Sequence, residues 1–311
     1  MVESGLELNV FRTLGETATG IPLETYTPER LSPSSNPFLI LAGMNVFLPL
    51  RKDTRKSLPY DDLHRDNYHG AFPALLAHST NHTVHVVYQP AVAPRGHTRY
   101  LYSAETSRLQ LEDALTAAGR PSHIITHSLS TLMGYDLLTG KRGALKYQDR
   151  ALSVTLTAPF TTMKDALTED GTERRVLGMK WMTLFRLAQH LPLYGPYPVA
   201  GQYWHDGNNG EPFNQQWQVV PLVDTRSARY TLEADGFEEV FQADTFIPRL
   251  VVIPTQDKIF SPDKQRDIAK ELYAPTIEIP AGHRWFTAPR SELMPVIEAL
   301  KQHSRKRVQL V

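Results

Sequence analysis

Residues 122–140 read SHIITHSLSTLMGYDLLTG, and this stretch decides the fold. Its apolar start predicts a buried strand over residues 122–126, and the stretch from residue 131 predicts a helix that ends near Gly140. Ser128 lies in the short turn between the strand and the helix. Such a serine is either an ordinary turn or helix-capping residue or a nucleophile, and only a base and an acid elsewhere in the chain favour the nucleophile.

Strand-like and helix-like segments alternate on both sides of this turn. Apolar runs predict further buried strands at 38–42, 83–88, 151–157, 249–253 and 276–279. Helical spacing predicts helices at 68–78, 104–118, 263–272 and 291–303. This order is typical of an α/β protein with a mostly parallel central sheet flanked by helices. Residues 6–14 and 21–27 predict an N-terminal β-hairpin, and residues 44–66 predict a long loop.

The alternation stops after Pro159 and resumes near residue 245. We therefore expect one core domain made of residues 1–159 and 245–311, with residues 160–244 inserted as a helical lid. Within the insertion, residues 173–190 predict amphipathic helix, and residues 191–213 are rich in aromatic residues, Gly and Pro. Its apolar side chains either line an acyl or aromatic substrate pocket or form a small core of the lid itself.

Composition excludes several classes of function. Lys and Arg (33) balance Asp and Glu (33), which argues against a generally nucleic-acid-binding surface. The absence of cysteine excludes disulfides, thiolate catalysis and cysteine metal sites. No phosphate-binding loop or metal-ligand spacing is present, so we predict no cofactor and no metal. No apolar run is long enough for a membrane span, and residues 1–5 lack a signal-peptide pattern, which predicts a cytoplasmic location. The sequence leaves the oligomeric state open.

Two residues that follow predicted strands complete a catalytic set with Ser128. Asp257 comes four residues after the strand at 249–253, and His283 lies in a glycine-containing loop after the strand at 276–279. The carboxyl ends of parallel strands meet at one edge of a sheet, so these side chains are expected to converge there. A histidine held by an acid is the base that a serine hydroxyl needs.

Two main-chain amides are expected to form an oxyanion hole. The N–H group of Leu129 lies at the start of the helix, where amides are unpaired and the helix dipole favours negative charge. The N–H group of Met44, just after the strand at 38–42, is the natural second donor.

The chain resembles the α/β-hydrolase superfamily over nearly its whole length. The segments that carry the resemblance are residues 38–44, 126–130, 250–257 with Ser261-Pro262, and 282–285. The resemblance implies Ser128 as nucleophile, His283 as base, Asp257 as acid, and Met44 and Leu129 as oxyanion donors. The sequence departs from the family pattern at two places: Ala42-Gly43 replaces the usual His-Gly, and Thr126 and Ser130 replace the two glycines around the nucleophile.

The leading interpretation is a serine hydrolase that cleaves a carboxylic ester or thioester through an acyl-enzyme on Ser128. An acyltransferase or carrier-protein thioesterase that uses the same acyl-enzyme is the first alternative, because only the acyl acceptor differs. A non-catalytic ligand-binding protein with the same fold is the second. In each case the expected partner is a small-molecule acyl compound with an apolar or aromatic part, whose identity the sequence does not reveal.

Overall fold

The computed structural model describes residues 6–31, 35–43, 58–59, 70–88, 104–160, 168–169, 172–173, 175–176, 179–180, 246–257 and 260–305. The strands are β1 (Glu7–Leu8), β2 (Val10–Glu16), β3 (Pro22–Pro28), β4 (Phe38–Leu41), β5 (Leu58–Pro59), β6 (Val84–Val87), β7 (Ser122–His127), β8 (Ala151–Thr157), β9 (Thr168–Glu169), β10 (Thr172–Glu173), β11 (Arg175–Val176), β12 (Met179–Lys180), β13 (Arg249–Pro254) and β14 (Thr276–Ile279). The α-helices are α1 (Phe72–Thr80), α2 (Ala104–Ala118), α3 (Thr131–Thr139), α4 (Pro262–Glu271) and α5 (Arg290–Arg305).

The central sheet has eight strands in the order β14-β13-β8-β7-β4-β6-β3-β2. The six strands from β14 to β6 are mutually parallel, and β3 and β2 add an antiparallel hairpin at one edge. The prediction of a mostly parallel sheet with an N-terminal hairpin is therefore confirmed. Strand β7, which leads into Ser128, lies in the interior of the sheet between β8 and β4.

Helices cover both faces of the sheet. Helices α2, α3 and α4 pack with Leu39 and Leu41 on one face, whereas α1 and α5 pack with Phe38 and Ile40 on the other. Strand β4 is thus buried on both sides, which explains why its sequence is a continuous apolar run rather than an alternating one. The two layers of helices hold the parallel strands with their carboxyl ends together at one edge.

Several sequence predictions need correction. The helix predicted over residues 173–190 is wrong in its first part, because Arg175–Val176 and Met179–Lys180 pair as antiparallel strands. A second small hairpin, β9 and β10, precedes it. The rest of residues 160–244, and with it most of the predicted lid, lies outside the described residues. Within the predicted loop at 44–66, β5 pairs with β1. Strands of only two residues leave no clear periodicity in the sequence.

Candidate active site

Ser128 occupies a strained turn at the carboxyl end of β7. Strand β7 ends at His127, a 3₁₀ turn spans Ser128–Ser130, and α3 starts at Thr131. The φ angle of Ser128 is +54°, which places a residue with a side chain in the left-handed region. Such a backbone costs of order 1–3 kcal/mol and persists only where the surroundings impose it. The turn places Ser128 at the edge of the sheet where the loops that follow β13 and β14 begin.

Asp257 and His283 are joined by a hydrogen bond at this edge. The distance between His283 Nδ1 and Asp257 Oδ2 is 2.9 Å, and both side chains are almost completely buried. The carboxylate accepts, so Nδ1 carries the proton and donates it. Nε2 of His283 is then left with its lone pair, which is the tautomer that a general base requires.

The carboxylate of Asp257 is held by two more donors. The main-chain N–H of Phe260 donates to Oδ1 at 3.1 Å, and Nε2 of Gln265 donates to Oδ2 at 3.1 Å. Gln265 belongs to α4 and is completely buried. These bonds compensate the burial of a charged group and aim its second oxygen at His283.

Main-chain hydrogen bonds tie the loop that carries the acid to the loop that carries the base. The N–H of Thr255 donates to the carbonyl of Ile279, and the N–H of Gln256 donates to the carbonyl of Ala281. Both bonds continue the β13–β14 ladder beyond the strands themselves. The separation of Asp257 and His283 is therefore set by the backbone of the sheet rather than by their side chains alone.

The ring of His283 contacts two aromatic neighbours. The His127 ring centroid is 4.8 Å away, and the Phe260 ring meets His283 in a T-shaped contact at 5.3 Å. His127 directly precedes Ser128, so the predicted base lies beside the elbow that carries the predicted nucleophile. No hydrogen bond joins Ser128 to His283 within the described part of the chain. Catalytic hydrogen bonds are often long in ligand-free enzymes and tighten with substrate.

Gly43 brings the end of β4 against the serine turn. A Cβ atom at this position would lie 2.8 Å from the carbonyl oxygen of His127 and 3.1 Å from Ser128 Cβ, so only glycine fits. The segment that follows β4 thus starts in contact with the serine turn. Leu129 lies in the 3₁₀ turn after Ser128, and Met44 lies outside the described residues.

No protein-family model matches the chain, and no curated protein sequence does. Its shape is similar to solved structures. A soluble variant of monoglyceride lipase from Saccharomyces cerevisiae matches with a TM-score of 0.61 and 12% identity, over 98% of each chain. A hydrolase from Oleispira antarctica matches with a TM-score of 0.60 and 15% identity, over 90% of this chain and 94% of its own. The chain has the α/β-hydrolase fold. A Pseudomonas aeruginosa hydrolase adds a third such match, at a TM-score of 0.57 and 15% identity over 93% of this chain and 98% of its own.

The α/β-hydrolase elbow usually has glycine where this chain has Thr126, and the structure explains how the threonine fits. Helix α3 carries Gly134 opposite Thr126. A Cβ atom at Gly134 would overlap Leu156 Cδ2 and lie 3.1 Å from Thr126 Oγ1. Thr126 is completely buried, and its hydroxyl donates to the carbonyl of Thr155 at 3.3 Å. The close approach of helix and strand is thus made possible by a glycine on the helix rather than on the strand.

The described residues contain no cluster of His, Asp or Glu that could hold a metal ion. In the same part of the chain, no helix is both long and apolar enough to cross a membrane.

Sequence reasoning missed several residues that shape this site. Three residues contact the predicted triad without having been singled out from the sequence: Gln265, Phe260 and His127. Their residue types carry no signal that separates them from ordinary core residues. Gly134 did carry a signal, since a glycine inside a helical pattern often marks close packing. Only the fold shows what it packs against.

Proposed function

We propose that this protein is a serine hydrolase that cleaves a carboxylic ester or thioester. The observation that carries the proposal is the buried His283–Asp257 hydrogen bond at the sheet edge where Ser128 stands in a strained strand-to-helix turn. A helix-capping serine needs neither a positive φ angle nor a buried acid–histidine pair beside it. The names of the similar solved structures, a monoglyceride lipase and two hydrolases, agree with ester cleavage.

In the proposed reaction, Ser128 Oγ attacks the carbonyl carbon of the substrate while His283 Nε2 takes the hydroxyl proton. The carbonyl oxygen becomes an oxyanion, which the N–H groups of Leu129 and Met44 stabilise. The intermediate collapses, the bond to the leaving alcohol or thiol breaks, and His283 returns the proton to that group. His283 then takes a proton from a water molecule, whose oxygen attacks the acyl carbonyl carbon. The acyl–Oγ bond breaks, His283 returns the proton to Ser128 Oγ, and the carboxylic acid leaves.

Asp257 acts through His283. Its carboxylate keeps the proton of His283 on Nδ1 and stabilises the imidazolium that forms in each half-reaction. Gln265 and Phe260 N–H restrain the carboxylate, so the imidazole is held before substrate arrives. The acyl part of the substrate is placed against the insertion at residues 160–244, which we propose to act as the lid of the core domain.

Substitution of Ser128 by Ala tests the proposal. We expect kcat/KM for p-nitrophenyl ester hydrolysis to fall by about 10⁴ or more, because no other group replaces the nucleophile. His283→Ala should cause a loss of similar size, since the two residues act as one unit. A fluorophosphonate probe should label the wild type and leave Ser128→Ala unlabelled.

Two results would contradict this function. Equal ester hydrolysis by wild type and Ser128→Ala would show that the serine is not the nucleophile. A folded wild type that the probe never labels, while a control hydrolase is labelled, would favour a ligand-binding protein that keeps the fold without the chemistry.

A further inference from the structure

The hydroxyl of Ser130 connects the serine turn to the end of β4. Ser130 is completely buried. Its Oγ accepts a hydrogen bond from the N–H of His127 at 2.7 Å. The carbonyl oxygens of Leu41 and His127 lie 2.6 Å and 2.9 Å from the same Oγ. A hydroxyl has one proton, and the shorter distance assigns it to Leu41. The side chain therefore bridges two segments that are far apart in sequence.

An ordinary role does not account for this side chain. Ser130 is the residue before α3, yet its side chain makes no capping hydrogen bond to that helix. It is also inaccessible to a substrate, since no part of it is exposed. Glycine, which usually stands here in the α/β-hydrolase motif, has no hydroxyl and makes no such bridge.

The bridge joins the neighbour of one proposed oxyanion donor, Leu129, to the end of β4. On one side, Ser130 directly follows Leu129. On the other, Leu41 is the last residue of β4 and leads through Ala42 to Gly43, which contacts the elbow. Gln110 of α2 also holds this segment: its Nε2 donates to the carbonyls of Val87 at 2.8 Å and of Ala42 at 3.4 Å.

We propose that Ser130 is a positioning residue that fixes the serine turn, with the N–H of Leu129, at a set distance from the end of β4. This inference rests on the proposed function. An N–H donor stabilises the oxyanion less when it is displaced from its best distance to the developing charge. A misplacement of about 1 Å can lower the rate about 10²-fold. A glycine at this position would leave the turn free to move relative to β4. The hydrogen bond from Ser130 to the Leu41 carbonyl fixes the turn to β4 instead.

Ser130→Ala and Ser130→Gly both remove the bridge, and Ser122→Ala is the matched control. Ser122 is also completely buried and donates to a main-chain carbonyl, that of Arg120, but it lies at the other end of β7. We expect each Ser130 variant to lower kcat by about tenfold to a hundredfold with KM changed less than about twofold. The inhibition constant of a trifluoromethyl ketone, which forms an oxyanion on the nucleophile, should rise by the same factor as kcat falls.

The outcomes separate the two proposals. Wild type that hydrolyses esters, with Ser130 variants that keep the wild-type kcat, overturns the positioning role and leaves the proposed function intact. The positioning role is likewise overturned if Ser122→Ala lowers kcat as much as Ser130→Ala does. Wild type that neither hydrolyses esters nor reacts with a fluorophosphonate overturns the proposed function and this inference together. Thermal unfolding of each variant identifies any that fails to fold, and Ser130→Gly then serves where Ser130→Ala does not.

Discussion

Strands β7 and β8 carry a cross-strand pair of a histidine and a hydroxyl residue near each end. Near their start, His123 lies opposite Ser153, with 2.9 Å between Nδ1 and Oγ. Four residues further on, His127 lies opposite Thr157, with 3.1 Å between Nδ1 and Oγ1. Both histidines are buried and each shares a hydrogen bond with a hydroxyl. The local chemistry of the two pairs is therefore nearly identical.

Their surroundings are different. The first pair packs against Phe38, whose ring centroid is 5.1 Å from that of His123. The second lies against His283 and Phe286, at 4.8 Å and 4.6 Å, directly before the strained Ser128. A histidine hydrogen-bonded to a serine hydroxyl is thus no sign of catalysis by itself. The two ends differ in position. Only the His127 end lies at the carboxyl edge of the parallel strands, where other loops bring an acid and a second histidine.

Among the changes that test this comparison, the largest effect is expected at Gly43, which contacts His127 of the second pair. Gly43→Ala adds a Cβ atom that meets the His127 carbonyl at 2.8 Å, and main chain on both sides has little room to yield. We expect the loop after β4 to move, with a loss of about 10²–10³ in kcat, the usual cost of one oxyanion donor. Gly15→Ala is the control, because no atom lies within 4 Å of its Cβ position. Steady-state ester hydrolysis by both variants is the measurement, and unchanged kcat in Gly43→Ala would show that the loop does not serve the site.

A smaller effect is expected from removal of one hydroxyl at each end. Thr157 Oγ1 donates to the carbonyl of Thr126 at 2.9 Å, so it accepts the proton of His127 Nδ1. Thr157→Val keeps the shape of the side chain but removes its hydrogen bonds with His127 Nδ1 and the Thr126 carbonyl. The His127 ring, which contacts His283, then loses the hydrogen bond to residue 157. We expect kcat to fall about tenfold. Both Thr157→Val and Ser153→Ala should lower Tm by a few degrees, as expected when the hydrogen bonds of one buried hydroxyl are lost. Ser153→Ala should leave kcat within about twofold of the wild-type value. Equal kcat losses in the two variants would remove the distinction between the ends.

The smallest effect on activity is expected from a third such pair, at the hairpin edge of the sheet, which affects stability instead. His85 of β6 lies opposite Thr25 of β3, and Nδ1 and Oγ1 are 2.9 Å apart. Burial lowers the pKa of His85 to about 4 from its ordinary value of 6.5. Between these values the unfolded chain binds the proton more strongly, so the folded state loses stability as the pH falls from 6.5 to about 4.

Replacement of His85 by Gln should remove this part of the acid sensitivity. We expect the difference in unfolding free energy between pH 7 and pH 4 to become smaller by at most about 3 kcal/mol. Urea unfolding at both pH values measures it. Ester hydrolysis at pH 7 should remain within about twofold of wild type. An unchanged pH dependence in His85→Gln would mean that this histidine is not protonated on unfolding in that range.

Much of the architecture was predictable from local pattern. Strands β4 and β13 are predictable because residues buried on both faces leave continuous apolar runs. The convergence of Asp257 and His283 is predictable because residues just after parallel strands meet at one edge of the sheet, where the two are hydrogen-bonded. The first part of the predicted helix at 173–190 failed, since β11 and β12 are too short to impose a period on the sequence.

The sequence by itself determined which chemical groups are available: Ser128, His283 and Asp257, in an order and at strand ends that predict the α/β arrangement. Only the tertiary structure decided how the unusual elbow fits. The room for Thr126 comes from Gly134, the partners of Ser130 are main-chain groups up to 89 residues away, and Gln265 reaches Asp257 from α4. Contacts of this kind depend on how close two elements pack. Periodicity reports which face of an element is buried, but it does not report the distance to the element that covers it.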